Sequence, residues 1–540
     1  MKALKKITAL VLTAILSTSV LTVGASAAPS DAGQSSGTQK YETGLSSIDY
    51  DLDAEYFYSD YNAQSQAAEG IDTFENKDIV FQTVYYDELN YILNSEGYYL
   101  ILFGGSWDAH TRAAIPYINE FAKAYGIDTI YNFDFRLDGS SEETNILSND
   151  INVTPAADYN YLYGELVERY LTNLNDWVEY TDGSENAIRW RNVDDEYVAA
   201  PQLQTPFLFL YNKDNTVDNS SGTAGSADKN ADKTYPIVYA FEEPVYRDED
   251  GLYVIEETEN ATEYVYVTSQ YKTDLKEIFT YIFNNQIKVE TYTDAEYFHD
   301  VFVTGNGRGH AEKLYDIFEE GEQINLKAIT YRELTWLLEQ DGSALIVFAG
   351  AWCANSTAAA APINDYAVAN NVTVYWFDTR LDGKYPIDFW GYGRERQFKI
   401  SETTLHNSTE PNPFAHLYVD LINTYLPNIE VLAGEMSYVD SNGNTITSLK
   451  TQHPYFFAYS KNATDATGAK APALAWHEQM LEVTAKNLKA STYLYTEENY
   501  AAYTTGVFNV IKAYAERTGI DATEYSGAPR HPFVNFDLIG

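Results

Sequence analysis

The chain of 540 residues carries a formal net charge of −44, with 79 acidic against 35 basic side chains, and contains a single cysteine. So acidic a balance excludes surfaces built for nucleic acid or anionic lipid, because both need basic patches. One cysteine excludes an intramolecular disulfide, and with it a dithiol–disulfide cycle within one chain.

Lys2, Lys5 and Lys6 precede a mostly apolar run over 7–23, and Ala25-Ser26-Ala27 follows. That order predicts a secretory signal peptide over 1–27 rather than a membrane span. No later run is long and apolar enough to cross a bilayer, and no lipid-accepting cysteine or anchor signal is found. The expected location is extracellular or loosely held at the cell surface, without a stable membrane anchor. Residues 28–47, rich in Ser, Gly, Thr and Ala, read as a flexible leader. Ala54-Glu55-Tyr56-Phe57 then opens a unit that Ala295-Glu296-Tyr297-Phe298 echoes, which predicts one domain over 48–290 and a second over 291–540.

Both halves repeat the same order of elements. Leucine and aromatic spacing predicts helices over 84–93 and 329–338. The apolar strands Leu100-Ile101-Leu102-Phe103 and Leu345-Ile346-Val347-Phe348 run into Gly105-Ser106-Trp107-Asp108 and Gly350-Ala351-Trp352-Cys353. Helices over 109–125 and 354–369 come next, and Pro116 and Pro362 are expected to kink them. Second strands start at Thr129 and Thr373 and end in Arg136-Leu137-Asp138-Gly139 and Arg380-Leu381-Asp382-Gly383. Helices over 161–171 and 417–426 precede hairpin signals at Asp182-Gly183 and Asn442-Gly443. Thr205-Pro206-Phe207 and His453-Pro454-Tyr455 each lead an apolar strand with a proline, which suits a strand start where no ladder donor is needed. Final helices are predicted over 274–283 and 500–515, and the polar stretch 219–233 reads as a mobile loop.

Strand, helix, strand, helix, proline-led strand and final helix, together with Trp352-Cys353-Ala354-Asn355-Ser356, its counterpart Trp107-Asp108-Ala109-His110-Thr111, and the His453-Pro454 strand, resemble the thioredoxin-like superfamily. The resemblance implies an α/β fold of two tandem thioredoxin-like domains, each a central mixed sheet flanked by helices, with inserted hairpins and loops. It also implies cis bonds before Pro206 and Pro454, beside the Trp turns. In redox members of that family one cysteine attacks a disulfide and a second resolves the mixed disulfide. Those positions fall on Cys353 and Ser356 in the second half and on Asp108 and Thr111 in the first. The buried acid that many relatives use for proton transfer would fall on Leu102 and Val347, a departure from the pattern.

The catalytic candidates are therefore Cys353 as nucleophile, Ser356 orienting it, and His453, whose imidazolium would join the helix N-terminus in favouring a thiolate. The plainer reading makes Cys353 a compact packed residue and His453 a turn or capping residue. Trp107, Asp108, Thr205, Pro206, Trp352 and Pro454 are the candidate binding residues around the two clefts. The tryptophans also read as packing groups, and Asp108 as a helix cap. Asp108 with His110 could form an acid/base pair or a metal corner, but no third ligand sits at useful spacing, so neither metal nor cofactor is expected. The repeated Arg-Leu-Asp-Gly reads as a strand-end turn held by Arg–carboxylate contacts, with carbohydrate or peptide binding as the other reading.

Three functional readings follow. The first is a secreted tandem thioredoxin-like protein without dithiol redox activity that binds an extracellular protein or peptide. The second is a monothiol exchange enzyme using Cys353, and the third a surface structural or adhesive protein. An unpaired exported thiol also allows a disulfide-linked dimer through Cys353.

Overall fold

The structure, a computed structural model, describes residues 52–148, 160–174, 187–191, 197–217, 234–241, 255–257, 263–265, 267, 269–303, 317–383, 398–405, 409–478 and 496–527. The expected signal peptide and leader, the loop over 219–233 and the Asp182-Gly183 turn lie outside the described residues.

The first half contains α1 (Leu52–Ala68), β1 (Phe81–Thr83), α2 (Tyr86–Asn94), β2 (Tyr99–Phe103), α3 (Ala109–Ala124), β3 (Ile130–Phe133) and α4 (Tyr161–Arg169). It continues with β4 (Ala187–Arg191), β5 (Tyr197–Pro201), β6 (Phe207–Tyr211), β7 (Ile237–Phe241), β8 (Ile255–Glu257), β9 (Glu263–Val265) and α5 (Ser269–Asn284). The second half contains α6 (Asp294–Val303), β10 (Leu326–Ile329), α7 (Tyr331–Glu339), β11 (Ala344–Phe348), α8 (Ala354–Ala369) and β12 (Val374–Phe377). It ends with α9 (Ala415–Tyr425), β13 (Glu435–Val439), β14 (Thr445–Leu449), β15 (Tyr455–Tyr459), β16 (Ala473–His477) and α10 (Glu497–Thr518).

Two five-stranded sheets result, in the orders β1-β3-β2-β6-β7 and β10-β12-β11-β15-β16. In each, the first three strands are parallel and the last two antiparallel. The chain thus has the expected α/β fold of two thioredoxin-like domains. The hairpins β4–β5 and β13–β14 are inserted ahead of the proline-led strands. The Asn442-Gly443 signal falls in the β13–β14 turn, where Gly443 has φ 82°. Helices α3 and α8 run on through Pro116 and Pro362.

The central strands are buried along their whole length, as parallel strands covered on both faces should be. Alternation sorts the first half's strand residues between two apolar clusters. Leu100 and Leu102 face Ile115 and Ile118 of α3 and Ile278 and Phe279 of α5. Ile101 and Phe103 belong to a second cluster, which holds Leu89 of α2 and Leu166 of α4 and continues through Ile329 and Leu334 into the second half. The second cluster therefore spans both halves, and burying each large side chain there contributes roughly 1.5–3 kcal/mol.

Helices α1 and α6 are wedged between the halves in related ways. Phe57 and Tyr61 of α1 pack on Phe81 and Phe74 of the first half. Other positions of α1 reach the second half: Asp53 bonds Lys327 at 2.8 Å, and Tyr56 meets Trp336 edge-on at 6.1 Å. On α6, Phe298 packs on Trp376 of the second half, while the Tyr297 hydroxyl donates to Asp87 of the first at 3.0 Å. The two Arg-Leu-Asp-Gly turns complete the exchange. Gly139 (φ 76°) and Gly383 (φ 67°) lie so close to the side chains of Arg332 and Asp87 that a Cβ on either would collide with the opposite half.

Candidate functional site

In each half, the strand register sets the proline beside the Trp turn. Phe103 pairs with Phe207, and Phe348 with Tyr455, so Pro206 and Pro454 sit where β2 and β11 pass into their turns. Both prolines are buried, and the Thr205-Pro206 and His453-Pro454 bonds are cis, as the resemblance implied. Thr205 is half-buried.

Each turn is fastened from below by a carboxylate. Trp107 donates its indole N–H to Asp134 at 2.8 Å, and Trp352 donates to Asp378 at 2.8 and 3.0 Å. The same carboxylates accept the backbone N–H of Arg136 and of Arg380, both at 2.8 Å. Gly105 and Gly350 allow this approach, since a Cβ at either would strike both the indole and the carboxylate. Burial pushes the carboxyls of Asp134 and Asp378 up to about 7, against the pull of the indole, the backbone N–H and the neighbouring arginine. Above the first turn, the Arg136 guanidinium lies 3.8 Å from the Trp107 ring and is held by Glu142 at 2.6 Å. Above the second, the Lys399 ammonium lies 4.5 Å from the Trp352 ring.

The first-half turn is a capped helix start. Asp108 accepts the backbone N–H groups of His110 and Thr111 at 3.2 and 3.1 Å, and the Thr111 hydroxyl at 2.6 Å. The carboxylate is thus engaged in the cap that the sequence suggested. The His110 ring lies 3.7 Å from it, and burial lowers the histidine's pKa. Among the described residues no group of three or more His, Cys, Asp or Glu is arranged to hold a metal ion.

In the second half, Cys353 is the N-cap residue of α8 and is half-buried. Its Sγ faces the backbone carbonyl oxygen of His453 at 3.9 Å, so the thiol lies against the proline-led strand. Ser356 is fully buried, and its hydroxyl has no hydrogen-bond partner among the described residues. The hydrogen bond expected from Ser356 to the sulfur is therefore absent here.

His453 stands beside the cysteine, but the expected imidazolium is corrected by its surroundings. Burial pushes its pKa down to about 3, and the charges of Lys399 and Lys450 push the same way. A neutral ring places Nε2 3.0 Å from the Thr379 hydroxyl and stands edge-on to Trp352 at 5.6 Å. What reaches Cys353 is the backbone carbonyl of His453 rather than a cation. Desolvation of the imidazole, aided by the charges of Lys399 and Lys450, overrides the simple adjacency read from the sequence.

Asp134 and Asp378 are the site residues that sequence reasoning passed over. The strand positions ahead of the turns, Leu102 and Val347, are fully buried apolar residues. A carboxylate stands instead at the end of the neighbouring strand, in the repeated Phe-Asp-x-Arg-Leu-Asp-Gly. The signal was present, because that segment is kept between the halves where the cysteine is not.

No protein-family model matches the chain, and no curated protein matches it. Among solved structures, a crystal structure of ERdj5 (form I) matches at 10% identity, over 81% of this chain and 29% of that one, with a TM-score of 0.16. The chain spans less than a third of that protein, and a likeness this slight carries no argument. Two α/β domains of thioredoxin-like topology are read from the chain's own strand order and polarity.

Proposed function

We propose that this is an exported tandem thioredoxin-like protein that binds extended polypeptide in the clefts beside Pro206 and Pro454 and runs no dithiol cycle. One observation carries the reading: the chain's only thiol, Cys353, lies against the proline-led strand, while the second redox position is the buried hydroxyl of Ser356. A mixed disulfide formed there has no second thiol in the chain to resolve it. In the first half the corresponding carboxylate is consumed in capping α3. Strand-like pairing of a peptide with the cleft's backbone is the general mode by which such a strand end recognises partners.

A monothiol reading is favoured by one feature, the half-buried position of Cys353 at a helix N-terminus. Its thiolate would attack a partner disulfide, form a mixed disulfide and release the other sulfur as thiol; an external thiol would then free Cys353.

Fluorescence anisotropy of labelled, unfolded cysteine-free polypeptides against the native protein and Cys353→Ser separates the two. Equal saturable binding by both supports the binding protein. Absence of saturable binding, combined with a glutathione adduct of the native protein that Cys353→Ser lacks, gives the monothiol enzyme instead.

A further inference from the structure

The clefts beside Pro206 and Pro454 differ in charge, position by position. Isolated antiparallel bridges pair Arg136 with Asn145 and Arg380 with Lys399, so Asn145 holds in the first half the place that Lys399 takes in the second. Two residues ahead of Gln204 and Gln452, which lead into the proline-led strands, stand Gln202 and Lys450. The helix caps complete the series, with Asp108 in the first half and Cys353 in the second. At these matched positions the first cleft has two amides and a carboxylate, and the second two ammonium groups and a thiol.

Both amides of the first cleft are engaged within the fold. Asn145 donates to Glu142 and accepts the Leu147 N–H, each at 3.0 Å, and Gln202 donates to the Leu147 carbonyl at 2.9 Å. The lysines of the second are only partly answered. Lys399 pairs with Glu402 at 2.7 Å, and its ammonium lies over the half-buried Trp352 ring. Lys450 is half-buried too, and among the described residues its ammonium makes no hydrogen bond and no ion pair. Burial, and then the nearby charge of Lys399, push its pKa down against the pull of Glu402. Arg380 is held by Asp382 at 3.3 Å, and Asp378 is taken up by an indole and a backbone N–H. Two ammonium groups thus share the Glu402 carboxylate beside the Trp352 and His453 rings, with the Cys353 thiol against the His453 carbonyl.

The rest of the chain is strongly acidic, with a net charge of −44. Its overall field repels anions, but at physiological salt that field fades within about 8 Å, and local charges decide what docks. A partly buried ammonium without a partner has lost hydration that nothing replaces. A carboxylate brought to it restores the balance through a charge-assisted hydrogen bond.

We propose that the Pro454 cleft takes an acidic polypeptide segment, with an aspartate or glutamate side chain on Lys450 and Lys399, while the Pro206 cleft has no such preference. This rests on the peptide-binding reading and gives it a partner class.

Fluorescence anisotropy against the full chain tests it with three labelled peptides of one length, alternating Ser with Glu, Gln or Lys. The Glu peptide should bind about fivefold tighter than the Gln peptide, and the Lys peptide weakest. The Glu peptide should also slow iodoacetamide alkylation of Cys353, which locates it in this cleft. Lys450→Gln and Lys399→Asn, which copy the first half, should each bring the Glu and Gln peptides within about twofold of one another. Lys276→Gln on α5 removes the same charge from an exposed position elsewhere and should leave the preference intact. Lys450 has no side-chain partner to lose, so its variant should keep the native unfolding midpoint. Equal binding of the Glu and Gln peptides would overturn the charge preference and leave the peptide-binding reading standing. Absence of saturable binding by all three would remove both. A preference that survives in both lysine variants, or an alkylation rate unaltered by bound Glu peptide, would also overturn the proposal.

Discussion

Arg332 of the second half closes a forked ion pair on Asp60 of the first, through Nε at 3.1 Å and a terminal nitrogen at 2.6 Å. The Asp60 side chain is 3% exposed and also accepts the Ser106 hydroxyl at 2.5 Å. A cation of one half therefore reaches the Trp turn of the other through a single carboxylate. Removing the cation would strand that carboxylate out of water, which is the costly way to break a buried pair. Arg332→Ala should destabilise the protein by about 3 kcal/mol in urea unfolding. Arg332→Lys should recover part of the loss, because an ammonium keeps the charge but lacks the planar fork. A cost under about 0.5 kcal/mol would mean that solvent screens the pair.

Asp134 and Asp378 make stability fall as pH rises. Their carboxyls sit at about 7 in the folded chain against an ordinary 3.8, so between those values the folded state keeps protons that the unfolded state has released. The stabilisation is complete below about pH 4, declines up to about pH 7 and is flat above. Glu165, raised to about 7, and Glu333, raised to about 8, act in the same sense. His453 and His477, lowered to about 3 and about 4, act oppositely below the ordinary histidine value, so the difference between a variant and the native chain is the useful readout. Asp134→Asn keeps an oxygen for the Trp107 indole and the Arg136 backbone and removes the titration. It should gain on the order of 2 kcal/mol relative to the native chain between pH 4 and pH 8. A constant difference across that range would refute the assignment.

The central strands, the helices that follow them and the proline-led strands were legible because each carries its own pattern: continuous apolar runs, 3.6-residue spacing, or proline at a strand start. Helix α1 was not, and its surroundings explain why. It buries Leu52, Tyr56 and Phe57 together with Asp53, Asp60 and Asn62. A helix packed on several sides, with carboxylates meeting cations across an interface, has no single apolar stripe to read. The same interface hid the second role of Arg-Leu-Asp-Gly. The strand-end turn with its Arg–carboxylate contacts is there, at Arg136–Glu142 and Arg380–Asp382. That Gly139 and Gly383 also press on the opposite half depends on contacts between distant segments, which local spacing does not encode.

Asp108 offers a direct measure of what the first half does with its missing cysteine position. Its carboxylate pairs two backbone N–H groups at the start of α3 and the Thr111 hydroxyl. Asp108→Ala should cost about 1 kcal/mol or somewhat more, as loss of an N-cap does, and Asp108→Asn much less. Urea unfolding of the three proteins checks the order. If alanine and asparagine are equally harmless, the cap is not what holds the residue.

The last prediction concerns Cys353 and the ring beside it. A histidine activates a neighbouring thiol through its positive charge, which favours the thiolate. Burial with Lys399 and Lys450 keeps His453 uncharged above about pH 3, and its ring is turned to Thr379 and Trp352. It therefore has no charge to give at the pH values where thiols react. His453→Gln should leave the pH profile of iodoacetamide alkylation of Cys353 unmoved in the folded protein, while the overall rate follows any change in exposure. The carbonyl that faces the sulfur belongs to the backbone and survives the substitution. A profile displaced to higher pH in His453→Gln would show that an imidazolium does act on the thiol, and the neutral ring would have to be abandoned.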